Sequence, residues 1–266
     1  MAGNGIRLEF RDVTKTFADR AGSGNTVTAV EGVTLAVEDG EVVSLIGPSG
    51  CGKSTLLNMA SGLNGPTSGK VYVDREEVTE VNEHVAFMLQ KDLLLPWRSI
   101  RQNVEFGLEI QNVPKDERRR RSADWLERCH ISDFADHYPH QLSGGMRQRA
   151  ALARTLATDP HVLLLDEPFS ALDAQTKMIL QQDLARTLDE AGKTALFITH
   201  DLVEAVALSD RVLVMSQRPG RIIEEIVVEI PGRANPMERR QDAKIGEYVA
   251  KLMSLLHVGE VDLAHA

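Results

Sequence analysis

Eight consecutive residues, Gly47, Pro48, Ser49, Gly50, Cys51, Gly52, Lys53 and Ser54, fit the pattern G-x-x-x-x-G-K-[ST] at every fixed position. That spacing suits one task, holding a chain of phosphates. Glycines let the loop wind tightly enough for successive backbone N–H groups to converge on phosphate oxygens. The helix predicted to follow, with Thr55 in its first turn, offers its unpaired N–H groups and positive dipole end to the same anion. Lys53 adds a point charge near the outer phosphates, and the Ser54 hydroxyl is placed to ligate Mg²⁺. Cys51, inside the loop and beside the helix start, is expected to react with thiol reagents and to be shielded by bound nucleotide.

Further along, the apolar run Val162 to Leu165 ends in Asp166 and Glu167. An acid at the C-terminal end of a central parallel strand stands at the crevice where such folds bind ligands. Asp166 is placed to hold Mg²⁺, directly or through water, and Glu167 to polarise an attacking water. Alone, two acids after a strand read equally well as a solvated cap; the cradle upstream decides for chemistry. Between these features, Leu142, Ser143, Gly144, Gly145 and Met146 open a predicted helix that runs to Ala157. Ser143 and the two glycines make it a second helix start suited to an anion.

These groups need elements to position them. Leu8 to Val13 and Val27 to Val37 alternate apolar and polar residues, as antiparallel strands with one wet face do, around a turn at Ala21 to Asn25. Glu41 to Ile46 reads as a buried strand, and Lys53 to Ser61 as the helix after it. Val71 to Val73 and His84 to Met88 read as further strands. Arg101 to Ile110 and Asp116 to Cys129 read as helices broken at Pro114. After Pro160 the order is strand (Val162 to Leu165), helix (Ala174 to Ala191), strand (Ala195 to Ile198), helix (Asp201 to Leu208), strand (Arg211 to Met215). Such alternation is the mark of an α/β chain with a parallel sheet. A helical middle is expected at about 91–159, and a terminal helix with a loose tail from Asn235 to Ala266.

Composition narrows the partners. A chain of 266 residues with 42% hydrophobic side chains can bury a sizeable core. Its net charge of −9 leans against nucleic acid. Two cysteines without a CxxC pair suit a reducing compartment. Met1 to Phe10 carries charges where a signal peptide needs an apolar run, and no stretch approaches the ~18 apolar residues of a membrane span.

Cradle, Ser-Gly-Gly helix start and Asp166–Glu167, in this order, resemble the ATP-binding cassette (ABC) family from about Leu8 to Met215. The resemblance implies a P-loop NTPase (RecA-like) core with an antiparallel β subdomain and an inserted α-helical subdomain. It sets the nucleotide-binding domain at 1–235 and a C-terminal helix and tail at 236–266. It also implies ATP and Mg²⁺ as cofactors. Phe17 becomes the aromatic that stacks on adenine, Gln90 the amide that senses Mg²⁺ and links to a membrane subunit, and His200 the switch histidine. Ser143, Gly144 and Gly145 become the signature motif, and Asp173 part of the D-loop. Singly, Phe17 reads also as a core aromatic, Gln90 as a surface amide and His200 as a structural histidine. In the family a second copy packs head to tail, so that the signature of one chain closes on the γ-phosphate held by Lys53 of the other.

Met146 stands where many family members carry Gln or Glu. With His137 to Met146, Leu93 to Trp97, and Val214 to Arg221, the chain looks like the nitrate/sulfonate/taurine importer branch. That implies an ATPase at the cytoplasmic face of the cell membrane, partnered by integral-membrane permease subunits and indirectly by a substrate-binding protein. Leu93 to Trp97 would then line the groove for the permease. The alternative is a soluble ABC ATPase of DNA repair or translation type, which would show a long coiled coil or a second cassette.

Overall fold

The computed structural model describes residues 5–18 and 26–256; the turn expected at Ala21 to Asn25 lies outside them. In chain order the strands are β1 (Ile6–Ala18), β2 (Thr26–Glu38), β3 (Val42–Ile46), β4 (Ser68–Val73), β5 (Glu76–Glu77), β6 (Val85–Met88), β7 (Val162–Asp166), β8 (Thr194–Ile198), β9 (Arg211–Met215) and β10 (Ile222–Val227). The helices are α1 (Lys53–Ala60), α2 (Ile100–Ile110), α3 (Lys115–Arg128), α4 (Gly144–Ala157), α5 (Ala174–Glu190), α6 (Leu202–Leu208), α7 (Pro236–Arg239) and α8 (Lys244–Leu255).

Two sheets result. β2-β1-β4-β5 is antiparallel, and β10-β9-β3-β8-β7-β6 is parallel except for β10. In the parallel sheet every residue of β3, β7 and β8 is buried. Their apolar runs are continuous because both faces are covered. Along β7, Val162 and Leu164 point into a core shared with α1 and the antiparallel sheet. Leu163 and Leu165 point into a second core with α2, α3, α4 and α5. One strand therefore holds two layers together through the two-residue period of its side chains.

The register also brings the chemistry to one edge. Leu45 pairs with Ile198, Asp166 with Ile198, Met88 with Leu165 and Ile46 with Val214. The residues that follow these strand ends are Gly47, Glu167, His200, Gln90 and Ser216, so they leave the sheet at the same side.

The middle of the chain is helical, with α2, α3 and α4 in mutual contact. Ser99 opens α2 by accepting from the Gln102 N–H, and the Gln102 side chain accepts from the Ser99 N–H at 3.0 Å. Within Leu93 to Trp97, Leu94 is buried whereas Leu93 and Trp97 are 53% and 71% exposed. That segment is thus partly core and partly surface.

Some elements differ from the sequence expectation. β1 is longer than the alternating segment, because bulges at Phe10/Val13 and Val13/Lys15 interrupt the period while the ladder continues to Ala18. β10, not anticipated from the sequence, is an antiparallel edge strand; its mixed charges give it no apolar run. The segment from Asn235 holds two helices instead of one. Arg239 is buried, donates to the Ala207 and Ser209 carbonyls and pins the first; Asp242 then accepts from the Lys244 N–H at the start of the second.

The expectation for Cys51 is overturned. Its side chain is only 1% exposed and packs in the core beneath the loop, so the cradle presents its backbone and not its thiol. Cys129 is also buried, which pushes its thiol up to about 12. Folded chain should therefore react with an aromatic disulfide reagent at least about tenfold more slowly than denatured chain, with or without ATP. Rapid labelling of Cys51 that ATP suppresses would contradict its placement.

Candidate functional site

The cradle owes its shape to two glycines. Gly52 has φ +103°, and a Cβ there would lie 2.4 Å from Val30 Cγ1. At Gly47 a Cβ would lie 2.9 Å from Met215 Cβ and 3.0 Å from Cys51 Sγ. The loop thus turns over the core with no room for a side chain. α1 follows at once, with no side-chain cap on its first N–H groups. Those donors remain for an anion. Lys53 curls back so that its ammonium donates to the Gly47 carbonyl at 2.7 Å and to that of Pro48 at 2.9 Å, inside the bend of the loop.

An open cleft of about 640 Å³ lies over this loop. Ser49, Gly50, Gly52, Lys53, Ser54 and Thr55 line its floor. Phe17, Val27, Ala29, Gln90, Asp166 and Glu167 line it too. Phe17 is 41% exposed and cross-strand from Val27, so it is a surface aromatic and not core. Lys15 Nζ lies 5.2 Å from its ring centroid.

Asp166 is 7% exposed and shares the cleft with Ser54. Burial raises its pKa above the ordinary carboxylate value, and the neighbouring Glu167 charge adds to this, against the opposing pull of the Ser54 hydroxyl and the Lys53 ammonium. A hydroxyl and a desolvated carboxylate, side by side above Lys53, fit a hard cation that completes its shell from phosphate and water. Among the described residues no group of three or more His, Cys, Asp or Glu makes a protein-only metal cage. The donors present suit Mg²⁺ held jointly with phosphates.

Glu167 collects the remaining groups. The Gln90 amide donates to Glu167 Oε2 at 3.1 Å, and His200 Nδ1 lies 3.6 Å from the same oxygen. Gln90 follows β6, Glu167 follows β7 and His200 follows β8, three neighbouring strands. A single carboxylate is thereby oriented between an amide and an imidazole at the mouth of the phosphate cleft, the arrangement a water-polarising base needs.

The single chain does not bring every predicted residue to this cleft. Ser143 caps α4, accepting from the Met146 N–H at 3.3 Å, and Gly144 and Gly145 form the first turn. Asp173 caps α5, accepting from the Thr176 N–H at 3.0 Å, and those backbone bonds hold its carboxyl below its ordinary pKa. None of these four lines the cleft. Two residues that sequence reading passed over do touch the site. The Arg218 guanidinium donates to the Gly50 carbonyl at 3.2 and 3.1 Å and lines the cleft. Gln148, buried on α4, bonds to the backbone at Glu167. The only signal for Gln148 was a polar residue among the alanines and leucines of a buried helix face.

Comparison with known proteins agrees with this geometry. Residues 30–170 match the family model described as ABC transporter. The chain is 40% identical over 266 residues to a nitrate import ATP-binding protein of Synechocystis, covering 98% of this chain and 99% of the relative. It is 38% identical over 227 residues to an aliphatic sulfonates import ATP-binding protein of Bacillus cereus, covering 85% and 88%. A dimeric ATP-binding cassette in a post-hydrolysis state, bound to ADP and Pi, superposes with a TM-score of 0.76 at 33% identity, covering 84% of this chain and 99% of that one. Cradle, paired carboxylates and relatives agree: the chain belongs to the ABC transporter family.

Proposed function

We propose that this chain is the ATP-hydrolysing subunit of a membrane importer for nitrate, sulfonates, taurine or a similar small organic ion. The observation that carries the reading is the convergence of Gln90 and His200 on Glu167 Oε2 beside Lys53, Ser54 and Asp166.

In this reading the loop 47–55 holds the triphosphate, and Phe17 stacks on the base. Mg²⁺ held by Ser54, Asp166 and Gln90 would draw negative charge from the phosphates. Glu167 accepts a proton from the attacking water while His200 and Gln90 hold its carboxylate in place. Ser143, Gly144, Gly145 and Asp173 act on the nucleotide of a second copy, because they stand off the cleft of their own chain. Residues 1–235 form the nucleotide-binding domain and 91–159 its helical subdomain, with 236–266 as an appended helix and tail. Exposed Leu93 and Trp97 receive the permease, and a substrate-binding protein acts through that permease. The chain works at the cytoplasmic face of the membrane, without contact to nucleic acid. No described helix is long and apolar enough to cross a membrane, so the spanning falls to the partner.

A soluble repair or translation ATPase is set aside. Relatives covering 98% and 85% of the chain carry the names of import subunits. The stretch between cradle and signature holds helices of 11 and 14 residues, far short of a coiled-coil arm.

E167Q should lower the steady-state ATP hydrolysis of the full-length chain by about 10²-fold or more, while ATP affinity stays within about threefold. Because hydrolysis is what releases the pair, E167Q with ATP should also run as a dimer in size exclusion. Parental turnover in E167Q would refute the role given to Glu167.

The raised pKa of Asp166 sets a pH dependence. A carboxyl whose folded pKa lies above its unfolded one contributes stability at low pH and loses it as pH rises through the raised value. Without Mg²⁺ and nucleotide, D166N should therefore melt higher than the parent by about 2 °C or more at pH 7.5. The gap should close as pH falls below the ordinary carboxylate range. With MgATP the order should reverse, since only the parent gains binding stabilisation. Thermal denaturation with and without MgATP reads both effects; a D166N variant that melts lower at pH 7.5 without ligand would overturn the desolvation account.

A further inference from the structure

The turn after β7 carries more constraint than its sequence suggests. Glu167 has φ +49°, in the left-handed region that residues with a Cβ enter at a cost. Such a conformation persists only where its surroundings hold it. The Glu167 N–H donates to the Ile198 carbonyl at 3.0 Å, which fastens the turn to β8. The Glu167 carbonyl accepts from the Ser170 N–H at 3.2 Å and the Ser170 hydroxyl at 3.0 Å.

One further side chain grips both ends. Gln148, 4% exposed, donates its amide N–H to the Glu167 carbonyl at 3.1 Å and accepts the Ala171 N–H at 2.9 Å. The partners fix which way the amide points, since a carbonyl only accepts and a backbone N–H only donates. A carboxamide presents a donor and an acceptor at once; a carboxylate lacks the donor, and asparagine is one methylene shorter. Gln148 stands in the second turn of α4, the helix that Ser143 and Gly144 open. The same helix is tied to the segment after Gln90. Arg147 pairs with Asp92 at 3.0 Å, and Arg154 donates to the Leu93 and Asp92 carbonyls at 2.8 and 2.6 Å.

We propose that Gln148 is a positioning residue: it holds the Glu167 turn in its left-handed shape and makes that turn one body with α4. The proposal rests on the reading of Glu167 as the group that polarises water. It adds a physical link between the two halves of the chain's work. The start of α4 faces the nucleotide of a second copy, and Glu167 faces the chain's own. A shift of α4 at one site moves the hydrolytic carboxylate at the other through a single buried amide.

The test compares Q148M, which keeps length and volume without polar atoms, with Q148N, which keeps an amide too short to span. Steady-state hydrolysis and equilibrium ATP binding are measured on the full-length chain. Both variants should lose about tenfold or more in kcat, while KM and ATP affinity stay within about threefold. In an E167Q background Q148M should add no further loss, because both act through one carboxylate. A general packing defect would instead move KM, affinity and melting temperature together with kcat, and that pattern overturns the proposal. So does a kcat within twofold of the parent in either variant. If E167Q itself turns over at the parental rate, the reading of Glu167 falls; if E167Q is inactive while Q148M is not, only the role of Gln148 falls.

Discussion

The cleft must hold a triphosphate against two adjacent carboxylates, and most of the surrounding structure answers that electrostatic conflict. Two like charges about 4 Å apart near a protein surface repel by roughly 4 kcal/mol. Asp166 already feels the effect from Glu167 alone, since burial and its neighbour's charge together raise its pKa. The offsetting groups are fixed and mostly backbone. They are the N–H groups of loop 47–54, the uncapped start of α1 and the Lys53 ammonium. A divalent cation held by Ser54 and Asp166 would offset the remaining repulsion, which is why a hydroxyl and one buried carboxylate beside Glu167 are sufficient.

Keeping the two acids close while giving them different surroundings is the work of the fold. Asp166 is the last residue of β7, paired with Ile198, and is desolvated there. Glu167 is one residue beyond, turned outward by its left-handed backbone. A shared, regular strand would send adjacent side chains to opposite faces; the turn instead delivers both to one cleft. The neighbouring strand end is braced in a similar way. Asp201, next to His200, accepts from the Glu204 N–H and pairs with Lys177 at 2.8 Å. Burial pushes the Glu204 carboxyl above its ordinary pKa, although Lys177 lies 2.7 Å away and opposes the shift. Breaking such a buried pair costs far more than making it gains, so the segment carrying His200 stays fastened to α5, the helix that Asp173 caps.

What the sequence made legible follows from how local each signal is. The cradle, α4 and β9 are written in contiguous residues, and their bounds came out within a residue or two. β10 was not legible, because an edge strand of alternating charge and apolar residues differs little from a loop until its partner is known. The reactivity expected of Cys51 failed for a related reason: position in the loop says where the backbone goes, and packing against Met215 and the core decides where sulfur goes. Phe17, Gln90 and His200 were named by order along the chain, but the sharing of one cleft by Phe17 and Gln90, and the meeting of Gln90 and His200 at Glu167, depend on strand register, which no local window contains. Arg218 reaches Gly50 across 168 positions of sequence, and no spacing rule marks that contact.

The incompleteness of the single cleft is itself informative. Gly144 and Gly145 begin a helix whose cap is satisfied; a Cβ at Gly144 would have only the Arg147 guanidinium near it, at 3.9 Å, whereas one at Gly145 would press on Leu172 Cδ2 at 3.3 Å and the Ala171 carbonyl at 3.5 Å. Packing thus accounts for the absent side chain at Gly145, but no neighbour among the described residues crowds the exposed Gly144 closely enough to require glycine. In the proposed pairing that bare backbone would serve a phosphate bound by another subunit, because a close anion needs N–H groups without side chains over them. The helix that bears this exposed start is also the one that grips Glu167 from below and the Asp92–Leu93 segment from the side. In the proposed dimer, completion of one nucleotide site by a second copy would thus bear mechanically on the other, through packed helix and hydrogen bonds instead of through the nucleotide itself.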